Sequence, residues 1–352
     1  MNIKNSIFIP QLNSLRFFAA IAVVIFHFGK WSYPFNNGIL NDYASAMNLA
    51  VSFFFVLSGF IMITVYEHLK IFSWKNTIKF YLKRIIRIVP LYIIALLLVS
   101  LGYLFSSNIE LSIINFVESL FFLQAWIPTD ALILNFTGWS LSVEMFFYLL
   151  FPFIVPFFLS KKNVFKATVI FWIINSLLFI FLYLWLGQSN VAVNNFIKYF
   201  PLLHLNQFLI GMLAGKIYLK GIKGGNLIFL LALLFLIIYL PYISNNSLIT
   251  INHNGILAPV FALVIIGAAS STSIIKKLLS LPLFVKGGDA SYGIYILQFP
   301  IYLAIYELYK ICNIYDYLGE EGRFYIYLVF LVLISFLSFK TLEKLFKHLA
   351  HQ

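Results

Sequence analysis

Charge is what this sequence has least of. Only 10% of its 352 residues are charged, and acidic residues are the scarcest, 12 against 24 lysines and arginines. An ordinary soluble domain carries about 25% charged residues, so a water-soluble enzyme is excluded. Cysteine is nearly absent too. Cys312 stands alone, which leaves no intramolecular disulfide and no cysteine metal cluster, and no metal site is expected. There is no Gly/Ser-rich or Pro-rich linker, and the gaps between apolar stretches are short. A single transmembrane domain over residues 1–352, with no extra soluble domain, is therefore expected. What is abundant is apolar side chain: 62% of residues are hydrophobic and the mean hydropathy is +0.95.

The apolar runs predict an all-α polytopic membrane protein with about ten transmembrane helices. They fall at about 9–29, 46–66, 85–105, 138–159, 165–186, 200–219, 226–243, 255–272, 288–311 and 323–345. Continuous apolarity over such lengths argues for helices, because barrel strands would alternate. Segment 112–127 is shorter, contains Glu118 and reads as an interfacial or re-entrant helix. The first run has an internal arginine and no small-residue cleavage site, so it reads as a retained span rather than a signal peptide. With the N-terminus in the cytoplasm, 20 of the 24 basic residues fall on one side. Lys30, Lys198, Lys310 and Arg323 fall on the other, with Asp42, Glu110, Glu118, Asp130, Asp316, Glu320 and Glu321. By the positive-inside rule both termini are cytoplasmic. The same distribution argues against nucleic acid as the target of the net charge of +12. The surrounding lipid is the expected partner.

Within the first run, Arg16 and His27 are the groups a lipid-facing helix should not carry. Eleven residues is close to three α-helical turns, so both fall on one face, about 16 Å apart in depth. Intramembrane ionisable residues are costly and are functional candidates. Two blander readings stand beside this one: Arg16 snorkelling to the interface, and His27 anchoring the far end of the helix.

Four further stretches carry candidate chemistry. Ser58-Gly59 lies in mid-span, where small residues admit either a neighbouring helix or a thin ligand. Arg84 and Arg87 share a helix face near Pro90, and paired guanidiniums suit phosphate oxygens. Positive-inside topology or lipid head-group binding would also explain them. Glu144 sits a turn or two into the run that opens G-W-S-L-S-V-E, at a depth similar to His27. A carboxylate there either fixes the tautomer of the imidazole or pairs with a neighbour such as Lys30.

Taken together, these pieces resemble the acyltransferase-3 family of integral-membrane acyltransferases, which modify cell-surface glycans. The matching pieces are Arg16–x10–His27, F-F-F-V-L-S-G-F at 53–60, R-x-x-R-I-x-P-x-Y at 84–92 and W-S-L-S-V-E at 139–144. F-L-I-G-M-L-A at 208–214, G-D-A-S-Y-G-I-Y at 288–295 and L-S-F-K-T-L-E-K at 337–344 complete the set. The sequence departs from the family at His204 and Gln207, where many members have Arg and Glu, and at Gln298, where many have His. Some relatives carry an extra C-terminal extracellular esterase-like domain, and none is expected in residues 1–352.

The resemblance implies a multi-pass enzyme of the bacterial cytoplasmic membrane. It would transfer an acyl group, most often acetyl, from cytoplasmic acyl-CoA to a hydroxyl of a surface or lipid-linked glycan. Arg16 and His27 are then essential, with Glu144 behind His27. Arg84 and Arg87 serve acetyl-CoA, and its arm passes Ser58 and Gly59. Trp139, Ser140, Tyr292 and Gln298 are the candidate substrate contacts, with Trp139 or Ser140 placed to donate to an oxyanion. Direct transfer and an acyl-His intermediate both remain open. A passage bounded by the first four spans, basic at Arg84 and Arg87 and reaching His27, is expected. A proton-coupled transporter or exporter of a lipid-linked sugar is the alternative, with Arg16, His27 and Glu144 as a relay. It fits less well, since inverted repeats and paired broken helices are not visible.

Overall fold

The computed structural model describes residues 8–66, 74–105, 112–160, 163–187, 190–244, 248–314 and 317–343. Lys4, Lys70, Lys161, Lys162, Lys344 and Lys347 from the charge count, with Glu110 and Asp316, lie outside them, as does the very end of the last expected span. Among the described residues the chain is helical, without strands.

Helix α1 (Pro10–Val24) begins at a proline, whose missing N–H costs nothing in a first turn, and continues into a π-helical turn over Ile25–Gly29. Then follow α2 (Gly38–Ala46), α3 (Ala50–Tyr66), α4 (Trp74–Phe105) and α5 (Ile113–Leu120). The next helices are α6 (Gly138–Ser160), α7 (Val164–Trp185), α8 (Val191–Tyr199), α9 (Leu205–Leu219) and α10 (Gly225–Ser244). The chain closes with α11 (Leu248–His253), α12 (Ala258–Ala269), α13 (Ser273–Leu279), α14 (Pro282–Ile311) and α15 (Glu320–Ser338).

Eight of these helical stretches are long and apolar enough to cross a bilayer, or nine if α12 and α13, bent by 100° at their junction, form one span. The protein is an all-α, multi-pass membrane protein. The remaining expected span, 288–311, lies in α14. That helix is 30 residues long and carries Lys286, Asp289, Glu307 and Lys310. The segment expected at the interface is resolved as α5 followed by a short 3-10 turn at Gln124–Trp126.

Close helix contact explains two of the glycines. Helix α3 lies along α9, where Gly59 faces the carbonyl of Phe208 and Gly211 faces the carbonyl of Val56. A Cβ at either position would run into backbone, so both must stay small. Helix α14 packs along α1, where Asn13 Nδ2 donates to Asp289 Oδ1 at 2.9 Å, and also against α4 and α15.

Prolines inside these helices free carbonyls that lipid cannot satisfy, and side chains answer them. Pro300 leaves the carbonyl of Ile296, which accepts from Asn135 Nδ2 at 2.9 Å. Pro241 leaves that of Ile237, which accepts from the Tyr43 hydroxyl at 2.6 Å. The first of these ties the loop before α6 to α14, and both elements border the site.

Candidate active site

A cavity of about 90 Å³ opens where α1, α3, α4, α6 and α14 meet. Arg16 reaches it from α1, Ser58 from α3, Arg84 and Arg87 from α4, Ser140 and Glu144 from α6, and Tyr292 from α14. Seven of the residues singled out in the sequence therefore converge on one space. Three bring fixed positive charge.

Arg84 defines its character. Its guanidinium is boxed by the rings of Tyr148, Tyr66 and Phe80, with centroids at 5.6, 5.7 and 5.8 Å. Nη2 donates to the Tyr66 hydroxyl at 3.0 Å. Nε and Nη1 are buried and have no hydrogen-bond partner among the described residues. Leaving a buried cationic donor unmatched costs several kcal/mol, and the box of rings offers only partial compensation. The two donors lie on different edges of the guanidinium, with Nη2 held by Tyr66 between them, so each is open to its own anionic oxygen.

The carboxylate of Glu144 lies in the same cavity. It accepts hydrogen bonds from the hydroxyl of Tyr148, one helical turn on, and from Ser58 Oγ at 3.4 Å. Ser140 Oγ accepts from the Tyr295 hydroxyl at 2.7 Å and donates to the carbonyl of Thr137 at 3.0 Å. The Tyr292 hydroxyl donates to the carbonyl of Ile88 at 2.7 Å, fixing α14 against the arginine-bearing turn of α4. The spacing 140, 144, 148 puts one face of α6 on the cavity.

The structure places His27 elsewhere. Its ring lies 4.6 Å from that of Phe136 and 4.8 Å from Phe26, with Phe28 at 6.2 Å. It does not line the arginine cavity. A π-turn covers Ile25–Gly29, and the Phe136 ring, from the loop before α6, packs against the imidazole in place of Glu144. The expected contact between Glu144 and His27 is replaced by the bonds from Tyr148 and Ser58. A second cavity, of about 160 Å³, begins at Phe28 and lies between the π-turn, α14 and α15. The two cavities share no lining residue, and His27 lines neither.

Three more expected contacts also sit apart from the arginine cavity. Gly59 is one residue from Ser58 yet faces α9. Trp139 is buried against Tyr199, His204 and His253, at 4.7, 5.3 and 5.4 Å. Gln298 is fully buried, with Nε2 donating to the carbonyl of Tyr295 at 2.7 Å. The two other departures from the family pattern, His204 and Gln207, bond each other at 2.9 Å. His204 also contacts the carbonyl of Lys198 at 2.8 Å. Burial pushes His253 down to about 4, against a bond with Asn254 that favours the charged form, so it is neutral at ordinary pH. Among the described residues no group of histidine, cysteine and carboxylate side chains could hold a metal ion.

Sequence reasoning missed Tyr148, Tyr66 and Tyr295. Tyr148 was within reach, being four residues from Glu144 in a helix. Tyr66 meets Arg84 from a different helix, and nothing in the sequence announces that contact.

The site is thus a cavity inside a multi-pass helical bundle, with three arginines, a carboxylate and hydroxyls on its walls. A family model described as an acyltransferase domain, acyltransferase-3, matches residues 9–340, and the chain belongs to that family. Acyltransferase MdmB of Streptomyces mycarofaciens is 30% identical over 160 residues, covering 41% of this chain and 38% of MdmB. SACOL0978 of Staphylococcus aureus strain COL, provisionally named an O-acetyltransferase, is 26% identical over 342 residues, covering 87% of this chain and 52% of that protein. O-acetyltransferase OatA of Staphylococcus aureus strain NCTC 8325 is 24% identical over 334 residues, 86% of this chain and 52% of OatA. The chain thus spans about half the length of these staphylococcal relatives. No solved structure matches it.

Proposed function

We propose that the protein transfers an acetyl group from cytoplasmic acetyl-CoA to a hydroxyl of a surface or lipid-linked glycan on the outer side of a bacterial cytoplasmic membrane. The observation that carries this reading is the pair of buried, unpartnered donors on Arg84 inside a cavity that Arg16 and Arg87 also line. A polyanionic donor fits them. Its phosphates answer the unpartnered donors on Arg84, and Arg16 and Arg87 add charge without a proton to lose. Ser58, Glu144 and Tyr148 form the polar wall beside its arm.

His27 is the group that takes the proton from the acceptor hydroxyl as its oxygen attacks the thioester carbonyl. The C–S bond then breaks, and the departing thiolate is protonated to free CoA. The ring of Phe136, 4.6 Å from that of His27, keeps water from the imidazole and so protects the thioester from hydrolysis.

The test uses the full chain in phospholipid nanodiscs and cells with and without the protein. Acetyl-CoA should bind in a titration, and mass analysis should find an O-acetyl group on surface glycans only when the protein is present. Absence of acetyl-CoA binding, with unchanged glycans, overturns the proposal.

A further inference from the structure

The second cavity has no role in the donor chemistry, yet it is built like a ligand site. It lies at the end of α1 that carries His27, against α14 and the start of α15. Its walls are aromatic. Phe28 stacks on Tyr302 at 4.4 Å and Tyr302 on Tyr306 at 6.2 Å, and Trp31, 63% exposed, stands at the rim. Glu320 and Arg323 line the opposite wall. Ser32 Oγ donates to the carbonyl of Glu320 at 3.2 Å, and the Tyr325 hydroxyl donates to that of Tyr33 at 2.8 Å, so the two walls are fastened together.

An independent observation points to a ligand. Tyr309 is only 7% exposed and lines this cavity, and its hydroxyl is buried without a hydrogen-bond partner. A buried hydroxyl without a partner costs about 1–3 kcal/mol, and a group entering the cavity with its own hydroxyls would remove that cost. The combination of stacked rings, a carboxylate, a guanidinium and an orphaned phenol suits a molecule with an apolar face and a hydroxylated edge. A pyranose ring has that form: its C–H face lies on aromatic rings, while its hydroxyls donate to carboxylate and phenol oxygens.

Helix α14 relates this cavity to the first. Tyr292 and Tyr295 face the arginine cavity, while Tyr302, Tyr306 and Tyr309 face this one. From Tyr295 to Tyr302 the rise is about 10 Å. His27 stands in an aromatic partition with Phe136 and Phe28, and Phe28 lines this cavity.

We propose that the cavity between the π-turn, α14 and α15 is the acceptor subsite and holds one pyranose unit, with Trp31 and Tyr306 stacking on the ring and Tyr309 and Glu320 reading its hydroxyls. This rests on the acyl-transfer reading above for its role, but not for its existence. A free sugar and a lipid-linked one share the recognised ring.

The experiment measures sugar binding without turnover. The full chain in nanodiscs, which carry no sugar head group, is titrated with the methyl β-glycosides of glucose, galactose and N-acetylglucosamine, read by saturation-transfer NMR. Transfer to the ring C–H protons of at least one glycoside is expected. Tyr309→Phe should weaken it about three- to ten-fold, the worth of one hydrogen bond. Trp31→Ala with Tyr306→Ala should weaken it about ten-fold or more. Arg84→Ala should leave sugar binding unchanged and lower acetyl-CoA affinity. Failure of all three glycosides to bind, or binding indifferent to both Tyr309→Phe and the double variant, overturns the subsite. Undiminished acetyl-CoA binding by Arg84→Ala would instead remove the donor assignment and leave the sugar result standing.

Discussion

The two cavities along α14 differ in what they leave unsatisfied. The arginine cavity leaves two cationic donors without partners and is walled by hydroxyls and a carboxylate. The cavity at the π-turn leaves one neutral phenol and is walled by rings. A charged ligand gains most in the first, because unmatched buried charge is the costlier defect. A neutral, hydroxylated ligand gains most in the second. On the proposed reading the two substrates are held at once, one in each cavity, and the chemistry falls to His27.

The largest expected effect breaks the comparison at that junction. Replacing His27 with alanine should lower acyl transfer by about 10²–10⁴-fold, the usual worth of a general base. Acetyl-CoA binding and glycoside binding should stay at wild-type strength, since His27 lines neither cavity. The check is surface-glycan O-acetylation in cells, read beside donor titration of the purified variant. Near-normal acylation would remove His27 from the reaction. Combined loss of donor and glycoside binding would show that the ring is structural.

A smaller effect separates the cavities. Arg84→Ala with Arg87→Ala should cut acetyl-CoA affinity by about a hundred-fold, since charge-assisted bonds are worth about 1.5–3 kcal/mol each. Glycoside affinity should not move. Tyr66→Phe is the finer version. It removes the hydroxyl that holds Nη2 and keeps the ring, so donor affinity should fall by less than in the double variant. Titration of both variants decides whether the arginines serve the donor or only topology.

The sequence made one of these regions legible and not the other, for a physical reason. Arginines and a glutamate in a chain with 10% charge stand out against their surroundings. Helical spacing then predicts which of them share a face, and Arg84 with Arg87 and Ser140 with Glu144 do converge. The same arithmetic says nothing of what surrounds His27, because the Phe136 ring that packs on it comes from a distant part of the chain. The aromatic cavity was invisible for the opposite reason. With 19% aromatic residues, Tyr302, Tyr306 and Tyr309 look like any lipid-facing stretch until α15 is laid across them. Ser58-Gly59 shows both outcomes in adjacent residues: the serine faces the cavity and the glycine faces α9.

The smallest effect concerns the partition itself. The Phe136 ring lies 4.6 Å from His27, 4.9 Å from Phe299 and 6.2 Å from Phe28, and it is the only one of the three phenylalanines borne by the loop before α6. Asn135 fastens the base of that loop to α14 at 2.9 Å, so the Phe136 side chain can move while the backbone beside it stays tied. Shortening the side chain should let water reach the donor thioester before an acceptor does. Phe136→Leu should therefore raise acetyl-CoA hydrolysis without acceptor on the order of a few-fold, with donor affinity unchanged. Phe136→Ala should raise it further, although the cavity it leaves costs about 3–5 kcal/mol of stability, and the leucine variant guards against that loss. Thiol release measured on nanodisc protein, with and without acceptor, is the check. If neither variant hydrolyses acetyl-CoA faster than the native chain, Phe136 does not keep water from the thioester, and the separation of the two cavities has another basis.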